Sequence, residues 1–355
     1  MRTLSICIPT YNRVDQLEEL VKPLLEVRSN DFEVVITDNC STDNTLDMLN
    51  AIKDDRLVVY KNKSPEPALY NMIVSIFNAS GKYALYCNDR DIIYTEQLLP
   101  FIEFLKNHQY SYIHIPKYHG NPTYKLNEYE KGFDSLVHHP FCEHPTGMVF
   151  NTEIMKKKLC KEDYIKYIEY IHTFCFLNQD IVTYEKSATY DICLWDIRPS
   201  IFKVQSASGT VYKGQLFFDS DTTTCSMAAE IEHLIGNPYF SLSSEQQKKL
   251  ILTIFIYFNK RLMMKKEYYA NARECAHYNI KPKYISFSEM KDVYNHYLNE
   301  CDNILRSTFF YEDLKREWTD IRKSLSKSLF RDYILCNKNI IAKMIKQKFI
   351  SNYRF

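Results

Sequence analysis

In the first 115 or so residues, short apolar runs alternate with stretches of helical periodicity, and few folds can accommodate that alternation. Leu4 to Ile8 is a strand-like run closed by Pro9, after which Leu17, Leu20, Val21, Leu24 and Leu25 recur at helical spacing. Phe32 to Thr37 is β-branched and ends at Asp38-Asn39; Thr45 to Ile52 is helical again. Leu57 to Tyr60, Ala68 to Ala79 and Tyr83 to Cys87 supply a third strand, a third helix and a fourth strand. Strands joined through helices at this spacing predict βαβ units, hence an α/β fold on a mainly parallel sheet. Such sheets bind ligands beyond the carboxyl ends of their strands. Three polar stretches fall there: Pro9-Thr10-Tyr11-Asn12-Arg13, Asp38-Asn39-Cys40-Ser41 and Asp89-Arg90-Asp91.

Beyond this region, residues 116–150 are rich in Pro, His, Gly and Asn and read as a long loop region. Residues 152–177 read as helical and a strand-like pair falls at about 181–205. From about Thr222 the pattern is mostly helical. Ser244 with Gln247 reads as a capping box opening the run Lys248 to Lys265, and further helices are expected over 287–306 and 309–350. The expected division is 1–215, in halves 1–115 and 116–215, and a helical region 216–355.

A formal net charge of +1 argues against a globally basic nucleic-acid binder. The eleven cysteines are odd in number and none pairs at C-x-x-C spacing, which fits a reducing, cytoplasmic setting. The segment MRTLSICIPTYNR does not read as a signal peptide, and no window approaches the roughly 18 apolar residues of a membrane span. The last 35 residues carry nine Lys and Arg against Asp332 alone, interleaved with apolar residues such as Leu329, Ile334, Ile340 and Ile341. A basic amphipathic helix of this kind lies either on an anionic membrane, here the inner face of the plasma membrane, or on its own domain.

"SICIPTYNR" at 5–13, "VITDNCSTDNT" at 35–45 and "GKYALYCNDRD" at 81–91 resemble, in order and spacing, the signatures of family 2 glycosyltransferases. The resemblance implies the GT-A nucleotide-diphospho-sugar transferase fold, a Rossmann-like sheet here followed by a mostly helical C-terminal region. Residues 1–115 would form the nucleotide-sugar half and 116–215 the acceptor half. It implies inverting, metal-dependent transfer of a sugar from a nucleotide donor, a UDP-sugar in the first instance, to a glycan or lipid-linked oligosaccharide in surface polysaccharide or glycan assembly. A homo-oligomer is left open. Readings from other classes are a nucleotidyltransferase, for which "IPTYNR" lacks a glycine-rich loop, and a non-catalytic sugar-nucleotide-binding or assembly subunit.

Residue by residue, Asp89 and Asp91 match the family's D-x-D, with Asp91 the metal ligand for Mn²⁺ or Mg²⁺ and Asp89 nearer the ribose or metal-bound water. Oxygen ligands suit such a cation, which also takes substrate phosphates and offsets charge on the departing diphosphate. The alternative for both is a solvated turn. Asp38 matches the carboxylate that accepts from base or ribose; otherwise it is a helix cap. Pro9, Thr10 and Tyr11 would bound the base, and Asn71 matches the end of a donor-pocket motif. Arg13 reaches a phosphate or pairs with Asp15; Arg90 meets the donor or offsets its flanking carboxylates. The general base of inverting transfer is expected at Glu169, with Asp163 second and Asp180 also weighed. His138, His139, Cys142 and His144 form a cluster at spacings that fit no standard zinc site.

Overall fold

The computed structural model describes residues 2–118, 120–139, 144–170, 173–198, 211–212, 215–216, 220–235, 237, 240–270 and 285–352. The chain divides into two compact units, Met1–Ile201 with Pro238–Leu242, and Phe202–Asn237 with Ser243–Phe355.

The first unit opens as the alternation demands: β1 (Leu4–Thr10), α1 (Val14–Glu26), β2 (Phe32–Asp38), α2 (Thr45–Ala51), β3 (Leu57–Lys61), α3 (Ala68–Phe77) and β4 (Tyr83–Tyr86). It continues with β5 (Asp91–Ile93), a 3-10 turn, α4 (Leu98–Asn107), β6 (Tyr112–His114), β7 (Leu126–Tyr129), α5 (Phe133–His138) and β8 (Met148–Asn151). α6 (Thr152–Lys158), α7 (Lys161–Ile165), α8 (Thr173–Ile181), β9 (Ser187–Tyr190) and β10 (Trp195–Ile197) close it. The sheet runs β3-β2-β1-β4-β8-β6-β9-β7. β1 is parallel to β2 and β4, and β2 to β3, whereas β8 is antiparallel to β4 and β6.

Every residue of β1 and β2 is buried, as expected of parallel strands covered on both faces. Leu4, Ile6 and Ile8 pack with Leu17, Leu20, Val21 and Leu24 of α1 and with Phe101 and Leu105 of α4 in one cluster. α3 packs against β1 and β2 and buries Ile73 and Ile76 outside that cluster. A right-handed crossover puts each loop that follows a β1, β2 or β4 strand at the same edge of the sheet.

Three expectations are corrected. The 116–150 region contains β7, α5 and β8, because its edge strand gains a partner, β9, only some sixty residues later. The described residues of 152–177 hold three short helices, α6, α7 and the start of α8, and the described part of the expected strand pair, to residue 198, does not pair with itself: β9 joins β6 and β7, and β10 joins β5.

The second unit holds β11 (Val211–Tyr212), β12 (Gln215–Leu216), α9 (Ser220–Ile235), α10 (Ser244–Ala270), α11 (Phe287–Ser307) and α12 (Tyr311–Asn352). The reciprocal cap at the start of α10 lies one residue earlier than expected. Gln246 N donates to Ser243 Oγ at 3.2 Å and Ser243 N to Gln246 Oε1 at 2.9 Å. α11 opens with a second capping box, Ser286 with Glu289. No helix of the described residues is long and apolar enough to cross a membrane.

Candidate active site

Asp89 and Asp91 follow β4 and differ in how they are held. Thr10 Oγ1 at the end of β1 donates to Asp89 Oδ2 at 3.0 Å, and Arg13 Nε lies 3.5 Å from the same oxygen. Arg13 therefore pairs with Asp89, not with Asp15 as one reading of the sequence had it. Burial raises the Asp89 pKa against the opposing pull of Arg13, Thr10 and Arg90. Asp91 is fully buried. Its Oδ2 accepts from Asn88 Nδ2 at 3.1 Å and from Thr146 Oγ1, with His144 Nδ1 3.7 Å away. Its Oδ1 is buried without a hydrogen-bond partner. Burial lifts the Asp91 pKa to about 6, against the Thr146 and Asn88 bonds and the field of Arg90. Arg90 makes no ion pair with either aspartate among the described residues, so it acts on them through space.

The backing of Asp91 comes from far along the chain. Asp91 is in register with Ile197 of β10, and Trp195 of that strand stacks on His144 with centroids 4.9 Å apart. Trp195 Nε1 donates to Ile115 O at 2.8 Å. Gly147 sits between them at φ +94°, where a Cβ would lie 2.2 Å from Ile115 O and 2.3 Å from Trp195 Nε1; only glycine fits. Burial, with Arg90 and Lys117, lowers the His144 pKa to about 3, so the imidazole beside Asp91 is neutral.

Asp38 closes β2, fully buried. Its Oδ2 accepts from Ser41 N at 3.0 Å, while Oδ1 is buried without a partner. The residue capping α2 is Asn44, whose side chain makes no cap bond, and the first helical amide, Thr45 N, donates to Asp43 Oδ1 at 3.1 Å, so Asp38 is not its cap. The loops after β1 and β2 are tied together: Asn12 N donates to Ser41 Oγ at 2.9 Å and Thr42 N to Asn12 Oδ1 at 2.7 Å. Asn12 and Cys40 both hold positive φ, 52° and 62°, a region that Asn enters more readily than most residues. Pro9 is buried within β1, and Tyr11 is half-buried at its exit.

The Asn71 amide is engaged inside the protein. Its Nδ2 donates to Thr37 O at 3.0 Å, and its Oδ1 accepts from Asn62 Nδ2 at 3.0 Å. Asn39 grips the chain at Glu66 from both sides, Nδ2 to Glu66 O at 2.8 Å and Glu66 N to Oδ1 at 2.9 Å. Asparagine can make that two-way bond and aspartate cannot.

The acids weighed as general base separate. Asp163 is exposed on α7, and the adjoining Tyr164 stacks on Phe77 at the C-terminal end of α3 and donates to Asp180 Oδ2 at 2.6 Å. Asn71 marks the strand-end side of α3, and six residues of helix separate Phe77 from it, roughly 9 Å. Asp163 and Asp180 are thus associated with the opposite end of α3. Glu169 is exposed in the turn whose Tyr167 and Tyr170 carbonyls accept from Thr173 Oγ1. Phe174 at the start of α8 meets the ring of Tyr86, the last residue of β4, edge-on at 4.9 Å. Of the zinc cluster, Cys142 lies outside the described residues; among those described, no three His, Cys, Asp or Glu converge on a metal position.

Sequence reading missed Asn88, Thr146 and Trp195, and it saw His144 only as part of a His/Cys cluster. The signal available was the Thr146-Gly147 pair just ahead of a buried strand, where a glycine marks close backbone approach.

The profile of glycosyl transferase family 2 matches residues 5–183, half of the chain. An uncharacterized glycosyltransferase of Rickettsia felis is 24% identical over 275 residues, covering 75% of this chain and 42% of its own length. UDP-Glc:alpha-D-GlcNAc-diphosphoundecaprenol beta-1,3-glucosyltransferase WfaP of Escherichia coli is 30% identical over 121 residues, 33% of this chain and 48% of that protein. The chain thus spans less than half the length of these relatives. The crystal structure of S. aureus TarS 1–349 superposes with a TM-score of 0.54 over 96% of this chain and 92% of that one, at 14% identity. Sheet order and superposition define a GT-A architecture with a helical C-terminal region. The chain belongs to glycosyl transferase family 2.

Proposed function

We propose that this chain is an inverting glycosyltransferase that moves a sugar from a UDP-sugar to a glycan or lipid-linked acceptor in surface polysaccharide assembly. The carrying observation is a pair of buried carboxylate oxygens without partners, Asp38 Oδ1 at the end of β2 and Asp91 Oδ1 at the start of β5, which follows β4. A buried acceptor left unpaired costs about 1–3 kcal/mol, so each oxygen is set to receive a donor or a cation. Asp38 receives a base or ribose hydrogen bond. Asp91, with Asp89, fits Mg²⁺ or Mn²⁺, since such an ion is held by one or two carboxylates plus substrate phosphates. That ion would neutralise charge on the leaving diphosphate. Thr10 and Arg13 orient Asp89, Arg90 adds positive potential beside it, and Glu169 takes the proton of the acceptor hydroxyl.

TarS has been solved in complex with UDP-GlcNAc, and WfaP carries a UDP-Glc and diphosphoundecaprenol name; both support the choice of donor and acceptor classes. The test is donor turnover with a panel of UDP-, GDP- and dTDP-sugars and Mn²⁺, with and without EDTA. Release of UDP that EDTA stops is the expected result. Pyrophosphate release from a nucleoside triphosphate would make the chain a nucleotidyltransferase, and tight donor binding without turnover on any acceptor would make it a binding subunit.

A further inference from the structure

The exposed large apolar side chains of the described residues are unevenly spread: Phe287, Phe330, Ile334 and Leu335 gather in the second unit, at 42%, 63%, 40% and 51% exposure. Phe287 meets Phe330 edge-on, with centroids 6.0 Å apart. At 100° per residue, Phe330, Ile334 and Leu335 share an arc of about 140° on α12 with Lys323, Lys327 and Arg331. Between Ile321 and Lys338 the only acid is Asp332. Its carboxyl is 12% exposed and accepts from Ser328 Oγ at 2.8 Å. Elsewhere α12 is anchored: Leu314 and Trp318 are buried, Trp318 Nε1 donates to Asp302, and Asn337 exchanges hydrogen bonds with the Ile285 backbone. The face is therefore fixed in place.

Two facts select the occupant. A protein partner is met by an apolar centre depleted of lysine, whereas here cations and apolar side chains are interspersed, as on helices lying in a bilayer interface. A second copy docking isologously would bring this positive face against itself. Lys323 with Asp320 at 3.7 Å is an outward pair of the kind worth about 0–1 kcal/mol that yields readily to another anion, and Arg331, itself 74% exposed, meets its nearest acid, Asp332, only at 3.5 Å. We infer that this face of α12 is a docking surface for an anionic bilayer, with Phe330, Ile334 and Leu335 entering the headgroup boundary and the cations meeting lipid phosphates. This inference stands apart from the proposed chemistry, because donor turnover does not enter its test.

The full chain is sedimented with vesicles of phosphatidylcholine alone and of phosphatidylcholine with about 30% phosphatidylglycerol, at low and high salt. Binding is expected to the anionic vesicles only, and to be lost at high salt. Lys327→Gln and Arg331→Gln should each weaken it about fivefold; Phe330→Ser with Leu335→Ser should weaken it at unchanged charge. Equal binding to neutral vesicles, no binding at low salt, or unaltered binding of these variants would overturn the inference. So would a dimer by sedimentation velocity that Phe330→Ser with Leu335→Ser makes monomeric, since a second copy would then own the face. The salt response of the unmodified chain is decisive even where a variant fails to fold.

Discussion

Asp91→Asn should make the first unit more stable while stopping turnover. The carboxyl titrates at about 6 in the folded chain and at its ordinary 3.8 when exposed. Unfolding at pH 8 thus relieves a buried charge worth about 3 kcal/mol, taking about 1.4 kcal/mol for each decade of proton affinity. The sign follows from proton counting. Between pH 4 and 6 the folded chain keeps a proton that the unfolded chain has released, so the Asp91 contribution to stability falls as pH rises through that window. The neutral amide removes the penalty, and its oxygen can still accept from Thr146 Oγ1. Its NH2 then faces the position of the unpartnered Oδ1, which returns about 1–3 kcal/mol of the gain. The expected net is stabilisation of up to about 2 kcal/mol at pH 8, smaller by about 1.4 kcal/mol at pH 5. In a unit of this size that is up to about 8 °C in Tm. The assay is tryptophan fluorescence during thermal unfolding. Trp195 belongs to the first unit and Trp318 to the second, so a Trp318→Phe background isolates the signal of interest. Mn²⁺ should raise the Tm of the chain that keeps its Asp91 carboxylate and leave that of the Asp91→Asn variant unchanged. A variant less stable at pH 8, or a gain that does not shrink toward pH 5, would refute the burial argument.

Gly147→Ala should cost about 2–4 kcal/mol in the same assay, combining a left-handed backbone with displacement of Trp195 from Ile115 O. Glu169→Gln should lower kcat by at least about a hundredfold with donor affinity retained, whereas Asp163→Asn should leave turnover within about twofold, as suits its placement. Equal effects of the two would withdraw the assignment of Glu169. His114, His139 and His144 titrate at about 4, 3 and 3, lowered chiefly by burial. Because unfolding lets each take up a proton below about pH 6.5, the first unit should lose stability on acidification, and His139→Phe should blunt that loss in urea titrations at pH 5 and 7.

What could be read from the sequence was set by local pattern. β1 through β4 and their helices are contiguous apolar runs or periodic stretches, and the parallel arrangement follows from their alternation, so the three loops at the strand ends are legible without coordinates. β5 and β10 are three residues each, too short for periodicity, and they exist only because Asp91–Ile93 and Trp195–Ile197 find each other about a hundred residues apart. The same kind of separation hides Thr146 as the donor to Asp91. For Arg13, sequence offers the acid two positions away, although its partner, Asp89, is 76 residues distant in sequence. Placement of Asp163 and Asp180 requires knowing which end of α3 meets Tyr164, and nothing in "KEDYIKYIEY" encodes that.

The bonds between Asn12 and residues 41–42 join the loops after β1 and β2 into one element. They therefore have to be exchanged as a cassette. A donor preference engineered by grafting residues 11–13 alone would leave the Thr42 amide without its acceptor and release the recipient's own second loop. A graft carrying 11–13 together with 39–43 brings its internal fastenings along, and an aspartate kept at 43 preserves the acceptor for the Val14 and Thr45 amides.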